Sequence, residues 1–265
     1  MRAIVWLLLG LFVSIGSRAW IPTIVNGRCP IGDGWYTTAG FGPTDWQAYA
    51  NYGDLPDGSS KRNWPPVTPL VLPTCDANGL VVYRTFSEDE KLALPAIIVD
   101  PRYRTLVYAG QRYFPAYLIE QQLAPYSDMT AELLLRASWE VRDEPELKKR
   151  YQALFLAQVR TTIERRGLPT VRSLRMAAYA ANVHRELGQL NAARDMLKRL
   201  PQRGYSLCSS AEPFGSAKFE TDRMRREVAQ YVAALSRAID RGDTSAEPTQ
   251  WRADREAFAR VDCVR

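Results

Sequence analysis

The spacing of apolar residues along this chain changes near residue 87. From Ser87 onward, apolar positions recur every three or four residues, the signature of helices with one buried face. Ser87-Glu88-Asp89-Glu90 fits a capping box, in which the serine oxygen and the glutamate three residues on satisfy free amides at a helix start. Pro95 is expected to keep that helix short. A second helical stretch spans residues 113–123 and stops before Pro125. Ser127 or Asp128 caps a third, through about Val141, with Leu133, Leu134, Ala137 and Val141 on one face. Asp143 and Glu146 mark the start of a fourth, which runs through Tyr151, Leu154, Phe155, Gln158 and Ile163 to Gly167-Leu168-Pro169.

Residues 171–200 read as a pair of antiparallel helices. Leu174, Ala177, Ala178, Ala181 and Leu187 form an apolar, small-residue stripe, and Gly188 ends the first helix. Leu190, Ala193, Leu197 and Leu200 line the second, which Pro201 terminates. Residues 201–216 form a loop that contains Cys208. Residues 218–239 make a long amphipathic helix with Met224, Val228, Tyr231, Val232 and Leu235 inward. Residues 241–248 break it, and a short helix from Gln250 leads to Cys263.

Upstream of Ser87 the pattern is different. IGDGW, FGPTDW, YGDLPDGSSKRNWPP and LPTCDANGL are dense in turn-forming residues. Two short strands are expected, at 69–72 and at 80–86 (LVVYRTF), with a tight turn at DANG between Cys75 and Leu80 and an exposed loop over 54–66. The first nineteen residues are apolar after Arg2, and Ser17-Arg18-Ala19 places small residues at the cleavage positions of an export signal. Their apolar core is about 13 residues, against roughly 20 for a bilayer span. The expected organisation is a signal at 1–19 cut before Trp20, a loop- and strand-bearing head at 20–110, and a helical body at 111–265. The fold class is mainly α: antiparallel helical hairpins with a small head carrying a few short β-strands.

Charge refines this picture. The net charge of +6 falls to +4 once residues 1–19 are removed. Residues 20–130 hold 8 Lys+Arg against 11 Asp+Glu, net −3, and residues 131–265 hold 25 against 18, net +7. The basic residues are interleaved with acids, as in RDEPELKKR and TDRMRREVAQ, which is the pattern of an ion-paired helix surface. Nucleic acid is therefore not an expected partner, and export argues the same way. After signal cleavage no remaining segment is expected to span a membrane.

All four cysteines lie in the exported part. An even number in an oxidising compartment predicts two disulfides, with three connectivities possible. Cys29–Cys75 and Cys208–Cys263 are preferred, because each pair stays inside one region; free thiols or the remnant of a metal site are the alternatives.

Catalytic signatures are sparse. The single histidine, His184, excludes sites built on two imidazoles, and its mid-helix place in AANVHRELG fits a packed or surface role. No GxSxG, GxxxxGK[ST] or GxGxxG motif occurs. No catalytic residue, metal site or cofactor is expected. Binding is the more natural function. Trp35, Tyr36, Phe41, Trp46, Tyr49, Tyr52 and Trp64 crowd into the head, where they either fill its core or stack on sugars or a protein partner. Trp35, Trp46, Tyr52 and Trp64 are the candidates there. Tyr179, Asn182, Arg185 and Glu186 are candidates on the hairpin, either lining a groove that faces a peptide or forming solvated helix surface.

Two segments carry resemblances. LGQLNAARDMLKRL, with Gly188, Leu190 and Ala193, resembles the second half of a tetratricopeptide repeat. The order CPIGDG, LPTCDANGLVVYRTFS, AELLLRASWEVRDEPELKKRY and HRELGQLNAARDMLKRL is similar to a bacterial family in which a split zinc-ribbon-like head precedes tetratricopeptide-like helices. The resemblance covers roughly residues 27–200. Each knuckle of that head would offer two cysteines. Here only the leading ones, Cys29 and Cys75, are present, with Gly32 and Asn78 at the partner positions and Asp33 or Asp76 as substitute oxygen ligands. The resemblance thus implies a head whose two remaining cysteines face each other and form a disulfide. The expected function is an exported, non-catalytic scaffold of the envelope that binds another envelope protein. A carbohydrate- or peptidoglycan-binding protein using the head aromatics, or a cell-wall hydrolase, are the alternatives.

Overall fold

The computed structural model describes residues 23–40, 72–168, 170–200 and 217–245. The expected export signal, Trp46, Tyr52, Trp64, the pair Cys208–Cys263 and the helix expected from Gln250 lie outside these residues, as does the side chain of Met224.

The head is built on two antiparallel strands, β1 (Thr23–Arg28) and β2 (Trp35–Gly40), with Thr23 opposite Gly40 and Arg28 opposite Trp35. Neither was expected from the sequence. The loop between them closes when the Cys29 amide donates to the Gly34 carbonyl at 3.0 Å. The expected turn after Cys75 forms and closes the same way, with the Cys75 amide donating to the Leu80 carbonyl at 2.8 Å. A Cys29–Cys75 disulfide joins the two loops, with Cα atoms 5.8 Å apart. The Asn78 side-chain amide donates to the Ile31 carbonyl at 2.9 Å, and the Asp76 amide donates to the Trp35 carbonyl at 3.1 Å. A Cβ on Gly34 would lie 2.8 Å from the Ala77 Cβ, so glycine is what lets the loops approach this closely.

The strand expected over residues 80–86 does not form. That stretch makes one isolated bridge, Thr74 opposite Val81. Leu80, Val81 and Phe86 are buried in the core instead. β-Branched and aromatic residues suit any extended segment pressed against an apolar surface, and here the Val81 amide pairs with a tyrosine hydroxyl rather than a neighbouring strand.

Eight helices follow among the described residues: α1 (Glu88–Ile98), α2 (Pro101–Tyr108), α3 (Tyr113–Leu123), α4 (Asp128–Glu140), α5 (Pro145–Arg166), α6 (Val171–Glu186), α7 (Leu190–Lys198) and α8 (Ala217–Asp240). The protein is mainly α, with a small strand-bearing head. The Ser87 capping box is complete. Pro95 does not end α1, because burial of Ile97 and Ile98 secures the last turn beyond it. Helix α2 falls inside the expected loop-rich head. Its start was written in Asp100-Pro101: the Asp100 carboxylate accepts from the Arg102 amide at 2.7 Å, and proline occupies the first helical turn. Helices α1 and α2 pack on α3. Helix α5 begins at Pro145 without a side-chain cap from Asp143.

Successive helices from α3 to α7 are packing neighbours, and α8 lies against α6 and α7. In the α6–α7 hairpin, Ala177, Ala178, Ala180, Ala181 and Ala193 are fully buried, and Gly188 turns the chain at φ +74°. Small side chains let the two axes come close.

A buried polar node joins head to body. Glu120 of α3 accepts from the Tyr83 hydroxyl (2.7 Å), Arg84 Nε (3.0 Å) and the Ser127 hydroxyl (2.8 Å). The Arg84 guanidinium also grips Glu90 through two bonds, at 2.7 and 2.8 Å. Burial, and then the neighbouring Glu120 carboxylate, push the Tyr83 hydroxyl well above its usual range, so it stays a neutral donor.

Candidate functional site

The sites nominated on the helical hairpin face inward. Tyr179 sits edge-on between Trp139 and Tyr231, at ring-centroid distances of 6.3 and 5.1 Å, and so ties α6 to α4 and α8. Asn182 and Arg185 are 1% and 0% exposed. They share the i, i+3, i+4, i+7 stripe of Ala178 and Ala181, which a helix turns to one side. Arg185 Nε donates to Asn182 (2.9 Å), and its Nη1 donates to the carbonyls of Asp243 (2.8 Å) and Ser245 (2.7 Å). Glu186 is drawn into the α5–α6 seam by Gln152 (2.9 Å), Lys148 (3.1 Å) and Asn182 (2.8 Å). Among the described residues, these side chains make their contacts within the helical body. His184 bonds to the Gln189 side chain at 2.7 Å across the α6–α7 turn.

In the head, Trp35 is half exposed on β2, and the Arg28 guanidinium lies 5.1 Å from its ring centroid. Cys29 is bonded to Cys75, and a Cβ at position 32 would lie 3.6 Å from Asn78 Nδ2. Among the described residues no group of three or more His, Cys, Asp or Glu is placed to hold a metal ion.

A further concavity lies on the helical body. An open groove of about 400 Å³ runs between α2 and α5 over the start of α3. Its floor is Phe114 and Tyr151, stacked nearly parallel at 4.3 Å, flanked by Leu106 and Leu147. Arg102 and Thr105 rise from α2, and Arg150 rises from α5. The Arg102 guanidinium lies 5.5 Å from the Phe114 centroid. The Tyr151 hydroxyl donates to Gln111 Oε1 at 2.6 Å, and burial pushes its pKa up to about 12, so it is neutral at any physiological pH.

The groove rests on built supports. Helix α3 has no side-chain cap of its own. Glu140 at the end of α4 supplies one, accepting from the amides of Arg112 (2.9 Å) and Tyr113 (3.1 Å). Burial raises the pKa of that carboxyl, and these bonds pull against the rise. Arg112 closes the end of α2 by donating to the Val107 and Gln111 carbonyls, each at 2.9 Å. Sequence reasoning missed the groove because its walls come from segments some forty residues apart, and each residue taken alone looks like ordinary helix surface or core. A second cavity, among α4, α5 and α6, holds about 10 Å³, room for one water.

No family model, curated protein or solved structure matches this chain. Among the described residues no helix is long and apolar enough to cross a membrane.

Proposed function

We propose that this protein is an exported, non-catalytic scaffold of the bacterial envelope whose helical body binds another protein. The observation that carries the reading is the exposure of large apolar side chains on neighbouring elements. Leu92 is 82% exposed, Val99 53% and Tyr108 88%, on α1, α2 and the two-residue link between them. Exposed large apolar groups on adjoining helices are the mark of a contact surface. The Cys29–Cys75 disulfide supports an oxidising compartment, in keeping with the export signal expected at residues 1–19. The alanine-packed α6–α7 hairpin supports a tetratricopeptide-like reading of the body.

The test is crosslinking in intact cells, followed by purification of the full chain from the envelope fraction and mass analysis. The expected result is a chain beginning at Trp20, oxidised at its cysteines and crosslinked to one envelope protein, with crosslinking reduced in the variant Leu92→Ser/Tyr108→Ser. A reduced chain in the cytoplasm, or no crosslinked protein, would overturn the reading. Half-exposed Trp35 favours a second reading, stacking on a sugar. That reading requires retention on insoluble peptidoglycan that Trp35→Ala weakens.

A further inference from the structure

We infer that the groove between α2 and α5 takes an acidic segment of the protein partner, with an apolar side chain against Leu106 and Leu147 and carboxylates at Arg102 and Arg150. The inference rests on the protein-binding reading above and names the chemistry of what binds.

Three observations point the same way. The first is charge. The lining holds two guanidinium groups and no carboxylate. Every ion pair found among the described residues engages other cations, such as Arg84, Lys91, Arg136, Lys148, Lys149 and Arg172, and leaves Arg102 and Arg150 without a carboxylate. Both arginines are exposed, and the Arg102 guanidinium lies 5.5 Å from the Phe114 ring centroid within the groove. Two such cations lining one concavity favour an anionic ligand, against the opposing influence of Glu140 and Glu144 on Tyr151.

The second observation is the floor. Leu106 and Leu147 are half-buried beside the buried Phe114–Tyr151 stack, and they offer an apolar seat rather than a polar one. An anion with no apolar portion would leave that seat wet. An apolar side chain flanked by carboxylates fills it and reaches both walls.

The third is the shortage, among the described residues, of free neutral groups to read hydroxyls. The Thr105 hydroxyl donates to the Pro101 carbonyl within its own helix at 2.8 Å. The Tyr151 hydroxyl is spent on Gln111 Oε1, which leaves Gln111 Nε2 as the one neutral side-chain donor of the lining not bonded among the described residues. Sugars are recognised by several such neutral donors and acceptors arranged around the ring. The groove's remaining chemistry is charge and hydrophobicity, which is what an acidic peptide with an aliphatic or aromatic anchor satisfies.

The experiment pans a random-peptide display library against the full oxidised chain, against Arg102→Gln/Arg150→Gln, and against Arg199→Gln as a control. Arg199 caps α7, a helix that among the described residues packs on α6 and α8 and supplies no lining residue of the groove. The wild type and the control are expected to enrich peptides with carboxylates on either side of Leu, Phe or Trp, and the double variant is expected to lose that enrichment. A synthetic copy of the leading peptide should bind the double variant about tenfold or more weakly, since each lost charge-assisted contact is worth roughly that factor. Circular dichroism and the intact disulfide verify that the variants fold. Enriched peptides without acids, or acidic peptides held equally by the double variant, overturn the inference and leave the protein-binding reading standing. Displacement of the peptide by soluble muropeptides overturns it in favour of a glycan occupant. No enriched peptide, together with retention of the chain on insoluble peptidoglycan, overturns both.

Discussion

Tyr103 of α2 bonds through its hydroxyl to the backbone of the head: it accepts from the Val81 amide at 2.8 Å and donates to the Gly79 carbonyl at 3.2 Å. The residue is 1% exposed, and burial pushes its pKa up to about 12, so the neutral hydroxyl can both give and take a proton bond. One side chain thus fixes the turn that follows Cys75 onto the helix that forms one wall of the groove.

Replacing Tyr103 with Phe keeps the ring and removes only that hydroxyl. Two buried backbone groups then lose their partner, and stability should fall by about 1–3 kcal/mol. Urea unfolding monitored by tryptophan fluorescence checks this; an unchanged midpoint would show that water reaches both groups.

The Cys29–Cys75 bridge closes a loop of 46 residues. In the chain-entropy picture such a crosslink stabilises by roughly 4 kcal/mol, so Cys29→Ser/Cys75→Ser should lower the thermal midpoint markedly. Reductant should lower the wild-type midpoint by more than it lowers that of the double variant, which retains only the cysteines Cys208 and Cys263. A wild-type midpoint insensitive to reductant would contradict the bridge's role.

Glu90 carries the acid sensitivity of the head–body node. The Arg84 guanidinium, and then the Ser87 amide, hold its pKa down to about 2, against an ordinary 4.5. A depressed carboxylate pKa means the unfolded chain binds the proton first. Its stabilisation is therefore complete above about pH 5 and is lost as pH falls from the ordinary value toward 2. Acid-unfolding curves of the wild type and Glu90→Gln should converge across that window and differ most near neutrality. A constant gap from pH 7 to pH 2 would falsify the assignment.

Arg185 ties the chain after α8 to the middle of the body. Arg185→Ala leaves the carbonyls of Asp243 and Ser245 and the Asn182 side chain without their donor, and should cost about 3 kcal/mol or more. Hydrogen exchange should rise first in the last turn of α8 and in residues 241–245. Uniform exchange across the whole chain would show instead a global loss with no local latch.

What could be read from the sequence was local. The Ser87 box, the Ser127 cap, the stop at Gly167 and the turn at Gly188 each depend on a few neighbouring residues, so their helix ends fall where the spacing put them. Asp100-Pro101 was equally local evidence, hidden inside a segment read as loop. The pairing of Cys29 with Cys75 followed from their sharing one region, and the structure has it. What was not local could not be read. Whether residues 80–86 become a strand depends on a partner strand elsewhere in the chain, and there the Val81 amide finds Tyr103 instead. Asn182 and Arg185 were expected in a peptide-facing groove or on solvated helix surface; the carbonyls of Asp243 and Ser245, some sixty residues on, help make the burial of Arg185 tolerable. The groove is the extreme case. Arg102, Phe114 and Arg150 belong to three helices, and their convergence follows from how α2, α3 and α5 pack. Side-chain chemistry and helix ends were properties of the sequence alone, because they are set within a few residues; the choice of which surfaces face one another belonged to the tertiary fold, because packing is settled between segments distant in the chain.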